Sequence, residues 1–102
     1  MLGSAGVVVL NESVDMPSAV RSQLSFFSAE SCGQCAPCRI GTRFQERALE
    51  RLLQSKSPTG RLPVLEQIDD VAWEMGEGSI CGLGQIAALP FTSALKWFPE
   101  EF

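Results

Sequence analysis

The chain has 102 residues, room for one small domain and not for two. Its 45% apolar content argues against wholesale disorder, and a net charge of −4 argues against the electrostatic footprint of a nucleic-acid binder. With no histidine, the chain lacks the imidazole ligand of many zinc sites, the Rieske type of cluster, and any Ser-His or Cys-His catalytic pair.

The opening MLGSAGVVVL holds an apolar run but no basic leader and no evident cleavage site. No stretch approaches the ~20 apolar residues of a membrane span. The expected setting is cytoplasmic, free or peripheral to a membrane complex, where cysteines serve as metal ligands or redox groups rather than disulfides. Residues 6–10, GVVVL, read as one short β-branched strand. A lone strand has nothing to pair with, so it is expected to pair outside the domain. Residues 1–14 therefore read as strand and linker belonging to a preceding domain, and residues 15–102 as a helical domain.

Asp15 ahead of Met16, Pro17 and Ser18 is an N-cap with proline in the first turn. It predicts a helix over 16–30, with Val20, Leu24 and Phe27 at helical spacing and Phe26 beside them. Ile40, Phe44, Ala48 and Leu52, flanked by Leu49 and Leu53, predict an amphipathic helix over 38–54. SKSPTG, residues 55–60, reads as a loop. Pro63 fits the first position of a third helix, whose buried stripe is Leu65, Ile68, Ala72 and Met75 with Val64 and Val71 alongside. Gly76, Glu77 and Gly78 end it. The glycine-rich turn ICGLG precedes a last helix carrying Ile86, Ala87, Phe91, Ala94, Leu95 and Phe98, kinked at Pro90 or starting there. Trp73 and Trp97 are expected to be packing residues. The fold class is mainly α: a small four-helix bundle after one short strand.

Three of the four cysteines, Cys32, Cys35 and Cys38, follow C-x-x-C-x-x-C spacing, and Cys81 stands apart. Neighbours two residues apart seldom form structural disulfides, and a thioredoxin-like site has no role for a third cysteine. Structural zinc sites made of four cysteines usually split two and two. A three-and-one split suits a [4Fe–4S] cluster, with one thiolate on each iron. Spacing favours that cluster and leaves a zinc-stapled structural or interaction module as the alternative. Gly33, Gly82 and Gly84 allow close backbone approach and N–H donation to sulfur. Cys38 lies where a helix begins, and Arg39 and Arg43 follow it, all favouring a more negative, reduced group. The plainer reading of both arginines is solvated charge on a helix face. Asp69 with Asp70, and Glu100 with Glu101, read as solvated. No phosphate loop or nucleophile–base pair is visible, and an all-cysteine cluster leaves no iron open to substrate, so it passes electrons.

ESCGQCAPCRIG, residues 30–41, resembles the Glu-Ser-Cys-Gly-x-Cys-x-Pro-Cys-Arg-x-Gly signature of the NADH-oxidising flavoprotein subunit of respiratory complex I and its relatives in NAD-reducing hydrogenases and NAD-dependent formate dehydrogenases. ICGLGQIAALP is similar to that family's fourth-cysteine segment, and LGSAGVVVLNES to the strand ahead of its cysteine domain. The resemblance implies one [4Fe–4S] cluster on Cys32, Cys35, Cys38 and Cys81, with Ser31, Gly33, Arg39 and Gly82 lining it. It also implies a neighbouring FMN that takes hydride from NADH, the cluster passing electrons singly to a further iron–sulfur centre. Members of the family carry a glycine-rich FMN- and NADH-binding region and a ubiquitin-like linker upstream. Neither has a counterpart in this sequence, so FMN and NADH are expected only in a partner domain or chain. This chain alone is not expected to oxidise NADH. The implied partners are that FMN/NADH-binding domain or subunit and a neighbouring iron–sulfur subunit, with no nucleic acid and no membrane insertion.

Overall fold

Helices α1 (Met16–Glu30), α2 (Ala36–Gln54) and α3 (Pro58–Gly78) form the body of the computed structural model, which describes residues 6–102. The single-turn α4 (Gly82–Ile86), the shorter α5 (Leu89–Trp97) and a 3₁₀ turn (Pro99–Glu101) complete it. Among the described residues there is no strand. Residues 6–10, expected as one, are exposed and unpaired there, with Val7, Val8 and Val9 at 78%, 80% and 90% exposure.

Local chemistry sets the boundaries. Asp15 caps α1, its carboxylate accepting from the Ser18 N–H at 3.3 Å and the Ser18 hydroxyl at 2.6 Å. Helix α2 begins two residues earlier than expected, because Cys35 already has the extended backbone of an N-cap and Pro37 sits in the first turn. The start of α3 is a larger correction. Pro58, not Pro63, opens the helix, and half of the anticipated loop is helical. Pro63 lies inside the helix, in its second turn, and leaves the Thr59 carbonyl without its i→i−4 donor. Arg61 holds the early turns, donating to the carbonyls of Ser55 at 3.3 Å and Phe102 at 2.7 Å. Proline divides the last helical stretch too: α4 stops at Ile86, and α5 begins with Pro90 in its first turn.

Helix α2 lies between α1 and α3, and α5 closes over α1 and α3. Their apolar faces meet at Val20, Leu24, Ala48, Leu49, Leu52, Ile68, Phe91 and Ala94. A smaller cluster, Met75, Ala87 and Ala88, lies under α4, with Phe27, Val71 and Ala72 against it. Trp73 and Trp97, expected as packing residues, are instead 68% exposed. Trp73 falls roughly 140° around α3 from buried Ile68 at 100° per residue. Lys96 sits over the Trp97 ring, its ammonium 5.0 Å from the centroid. Ile40 is also exposed, at 61%.

Candidate metal centre

Helix α1 ends where Ser31 turns extended, its N–H still donating to the Phe27 carbonyl at 3.0 Å. The chain then needs a sharp reversal to enter α2. Gly33 supplies it with φ +79°, a conformation that L side chains resist. Arg39 reaches back from α2 and donates to the Gly33 carbonyl at 3.1 Å, bracing the loop. The Gly33 N–H points to the Ser31 hydroxyl at 3.4 Å, and that hydroxyl lies 3.3 Å from Cys38 Sγ.

These contacts set the first three cysteines. Cys32 is exposed in the loop, Cys35 is half-buried as the α2 N-cap, and Cys38 is buried one turn on. Thr42 ties its hydroxyl to the Cys38 carbonyl at 2.8 Å. Cys81 caps α4 and is exposed. All four are free thiols.

The segment around Ser79 and Gly84 is brought onto Cys38. The Cys35 thiol is held below its ordinary pKa, the Ile80 backbone N–H being the largest cause. Desolvation opposes it, and the N–H groups of Cys38 and Cys35 and the Cys38 thiol add to it. A second junction lies at Gly84, where an added Cβ would run into the Ser79 hydroxyl and come within 2.8 Å of Cys38 Cβ. Only a bare α-carbon lets α4 seat this closely on Cys38. Gln85 fixes the turn, its Nε2 donating to the Ser79 carbonyl at 3.2 Å.

Four thiols without imidazole form a soft donor set suited to an iron–sulfur group. Among the described residues, no three or more Cys, Asp or Glu side chains are grouped as one metal ion would require. The other anticipated residues divide. Ser31 and Gly33 belong to the turn that carries Cys32 and Cys35, and Arg39 braces it from α2. Gly82 opens α4 with no protein atom near the position its Cβ would take. Arg43 faces outward along a shallow groove with Arg39, Ile40, Phe44, Arg47 and Arg51. Sequence reasoning missed Ser79, which is buried beside Cys38. A serine two residues ahead of a cysteine carries no signal of its own.

Comparison with known proteins places the chain among redox subunits. The family model described as the NADH-ubiquinone oxidoreductase-F iron-sulfur binding region matches residues 18–102. Rhizobium meliloti (strain 1021) has two numbered F subunits of NADH-quinone oxidoreductase that are similar to this chain. The first is 37% identical over 98% of this chain and 22% of its own length. The second is 39% identical over 100% of this chain and 24% of its own. The corresponding F subunit of Streptomyces coelicolor is 35% identical, again over 100% and 22%. Among solved structures, an NAD+-reducing [NiFe]-hydrogenase in the H2-reduced state superposes with a TM-score of 0.78 at 28% identity. That match covers 91% of this chain and 16% of the hydrogenase chain. The chain thus spans less than a quarter of the length of these curated relatives.

Proposed function

The chain belongs to the family of the NADH-ubiquinone oxidoreductase-F iron-sulfur binding region, and on that premise we propose that it is an electron-transfer module holding one [4Fe–4S] cluster on Cys32, Cys35, Cys38 and Cys81. When bound, such a cluster takes up and releases one electron at a time. The electron source in this reading is a reduced FMN, charged by NADH and carried by another domain or chain. The destination is a further iron–sulfur centre in a neighbouring subunit.

The chain's own residues bind and orient. The Cys35 thiol is held below its ordinary pKa, chiefly by the Ile80 backbone N–H. Ser31, Gly33 and Arg39 hold the loop that presents Cys32, and in this reading Cys81, at the start of α4, supplies the fourth ligand. Cys32 and Cys81 are the exposed members, which leaves that edge open to a partner. Residues 6–10 belong in this reading with a sheet outside the helices, as their exposed valines need cover.

The observation that supports the proposal is the close seat of Gly84 against Cys38 and Ser79, which brings the segment around the lone cysteine onto one of the other three. A single zinc would need four sulfurs about 2.3 Å from one ion. A cubane takes one thiolate per iron and suits a wider spread.

Anaerobic reconstitution tests this. About four irons per chain are expected, with a broad band near ~400 nm that bleaches on reduction. Cys81→Ser should lose that complement. A colourless protein with one tightly held zinc would overturn the reading.

A further inference from the structure

Ser79 is 6% exposed, and its hydroxyl oxygen has no hydrogen-bond partner. Buried hydroxyls almost always find one, and an orphan costs free energy. The backbone of Ser79 is fully engaged: its N–H donates to the Met75 carbonyl at 3.2 Å, and its own carbonyl accepts from Gln85 Nε2 at 3.2 Å. Only the side-chain O–H is left over. Its neighbours are the bare Gly84 and Cys38. The position a Gly84 Cβ would take is 2.6 Å from Ser79 Cβ and 2.8 Å from Cys38 Cβ, so those two atoms lie no more than 5.4 Å apart.

We propose that the Ser79 hydroxyl donates a hydrogen bond to a sulfur of the iron–sulfur group on its Cys38 side. The inference deepens the functional reading above and rests on it. Thiolate and sulfide are anionic acceptors, and the Ser79 O–H is a buried side-chain donor with no partner. Cys38 is thereby set between two serines. Ser31 lies 3.3 Å from its sulfur from the loop side, and Ser79 approaches from the α4 side. A donor to sulfur favours the more negative, reduced state and raises the reduction potential. Ser79 is a positioning and tuning residue, not a ligand.

The test uses the whole chain reconstituted anaerobically, with iron content measured before anything else. A chain that takes no iron overturns the functional reading and this inference together. Where iron is bound, Ser79→Ala is titrated potentiometrically beside the unmutated chain. The expected result is equal iron content and a midpoint moved to more negative potential. An unmoved midpoint at equal iron overturns the hydroxyl's role and leaves the four-cysteine reading standing. If Ser79→Ala fails to load, resonance Raman spectra of Ser31→Ala decide, since the other hydroxyl beside Cys38, that of Thr42, is committed to the Cys38 carbonyl. The iron–sulfur stretching bands should shift soon after transfer to D2O, before protected amides exchange. Bands that stay in place overturn the proposal.

Discussion

Around Leu49 the bundle buries Leu24, Leu52, Ile68 and Phe91 at 2% exposure or less, whereas under the cysteines the buried apolar residues are one methionine and two alanines, Met75, Ala87 and Ala88. The first region draws on large side chains, each worth about 1.5–3 kcal/mol when fully buried. The second has little such area. It is held by a braced loop, close backbone approach at Gly84, and side-chain hydrogen bonds from Ser31, Arg39, Thr42 and Gln85. Burial supports the Leu49 region by itself. The cysteine region has four free thiols and little apolar burial, so under the proposed reading its rigidity is expected to depend on the bound cluster.

The strongest way to break this contrast is Phe91→Ala. Phe91 is fully buried in the larger cluster. Truncation should cost about 3–5 kcal/mol in denaturant unfolding, with iron per folded chain unchanged. A loss of iron matching the loss of stability would show that the two regions form one unit.

Gly84→Ala probes the other side. The added methyl would press on Ser79 and on Cys38 Cβ. Overpacking of this kind costs about 1–3 kcal/mol. The sharper expectation is local: iron per folded chain falls, and amide exchange accelerates over residues 79–86 while the amides of Leu49 and Leu52 stay protected. Gly33→Ala should act on the loop alone. At φ +79° the methyl meets only the Arg39 stem, 3.6 Å away, so the penalty is conformational, about 1–2 kcal/mol. It is read as slower iron uptake and lower stability with α1 and α2 intact by circular dichroism.

The same division separates what was legible in the sequence from what was not. Helix α1 was readable at both ends because Asp15 and Pro17 mark its start and the Ser-Cys-Gly turn its stop. Family membership and the mainly helical fold were legible too, since a cysteine motif and apolar periodicity are local patterns. Rotation misled the reading of α2. Residues four apart drift about 40° per step, so Ile40 ends roughly 120° from Leu52 and is 61% exposed while Leu52 is buried. Two prolines compete to open α3, and sequence alone does not reveal that Arg61 anchors the earlier turn. Nor could Ser79 be found, because its burial comes from α4 folding back onto Cys38, a contact between segments more than forty residues apart.

The smallest expected effect lies on the surface between α1 and α2. Arg21 Nε and Glu50 Oε1 are 2.8 Å apart, with side chains 45% and 47% exposed. Water screens such a pair, and ordering two long side chains offsets much of its attraction. Arg21→Ala should therefore cost at most about 1 kcal/mol. The cost should shrink further as salt shortens the screening length below the ~8 Å of physiological buffer. Iron content should not move, because the pair joins α1 to α2 away from the cysteines. Denaturant midpoints at low and high salt check both points. If Arg21→Ala proved as costly as Gly33→Ala and indifferent to salt, the Leu49 region would depend on a polar contact as the cysteine loop does. Apolar burial could not then be what sets the two regions apart.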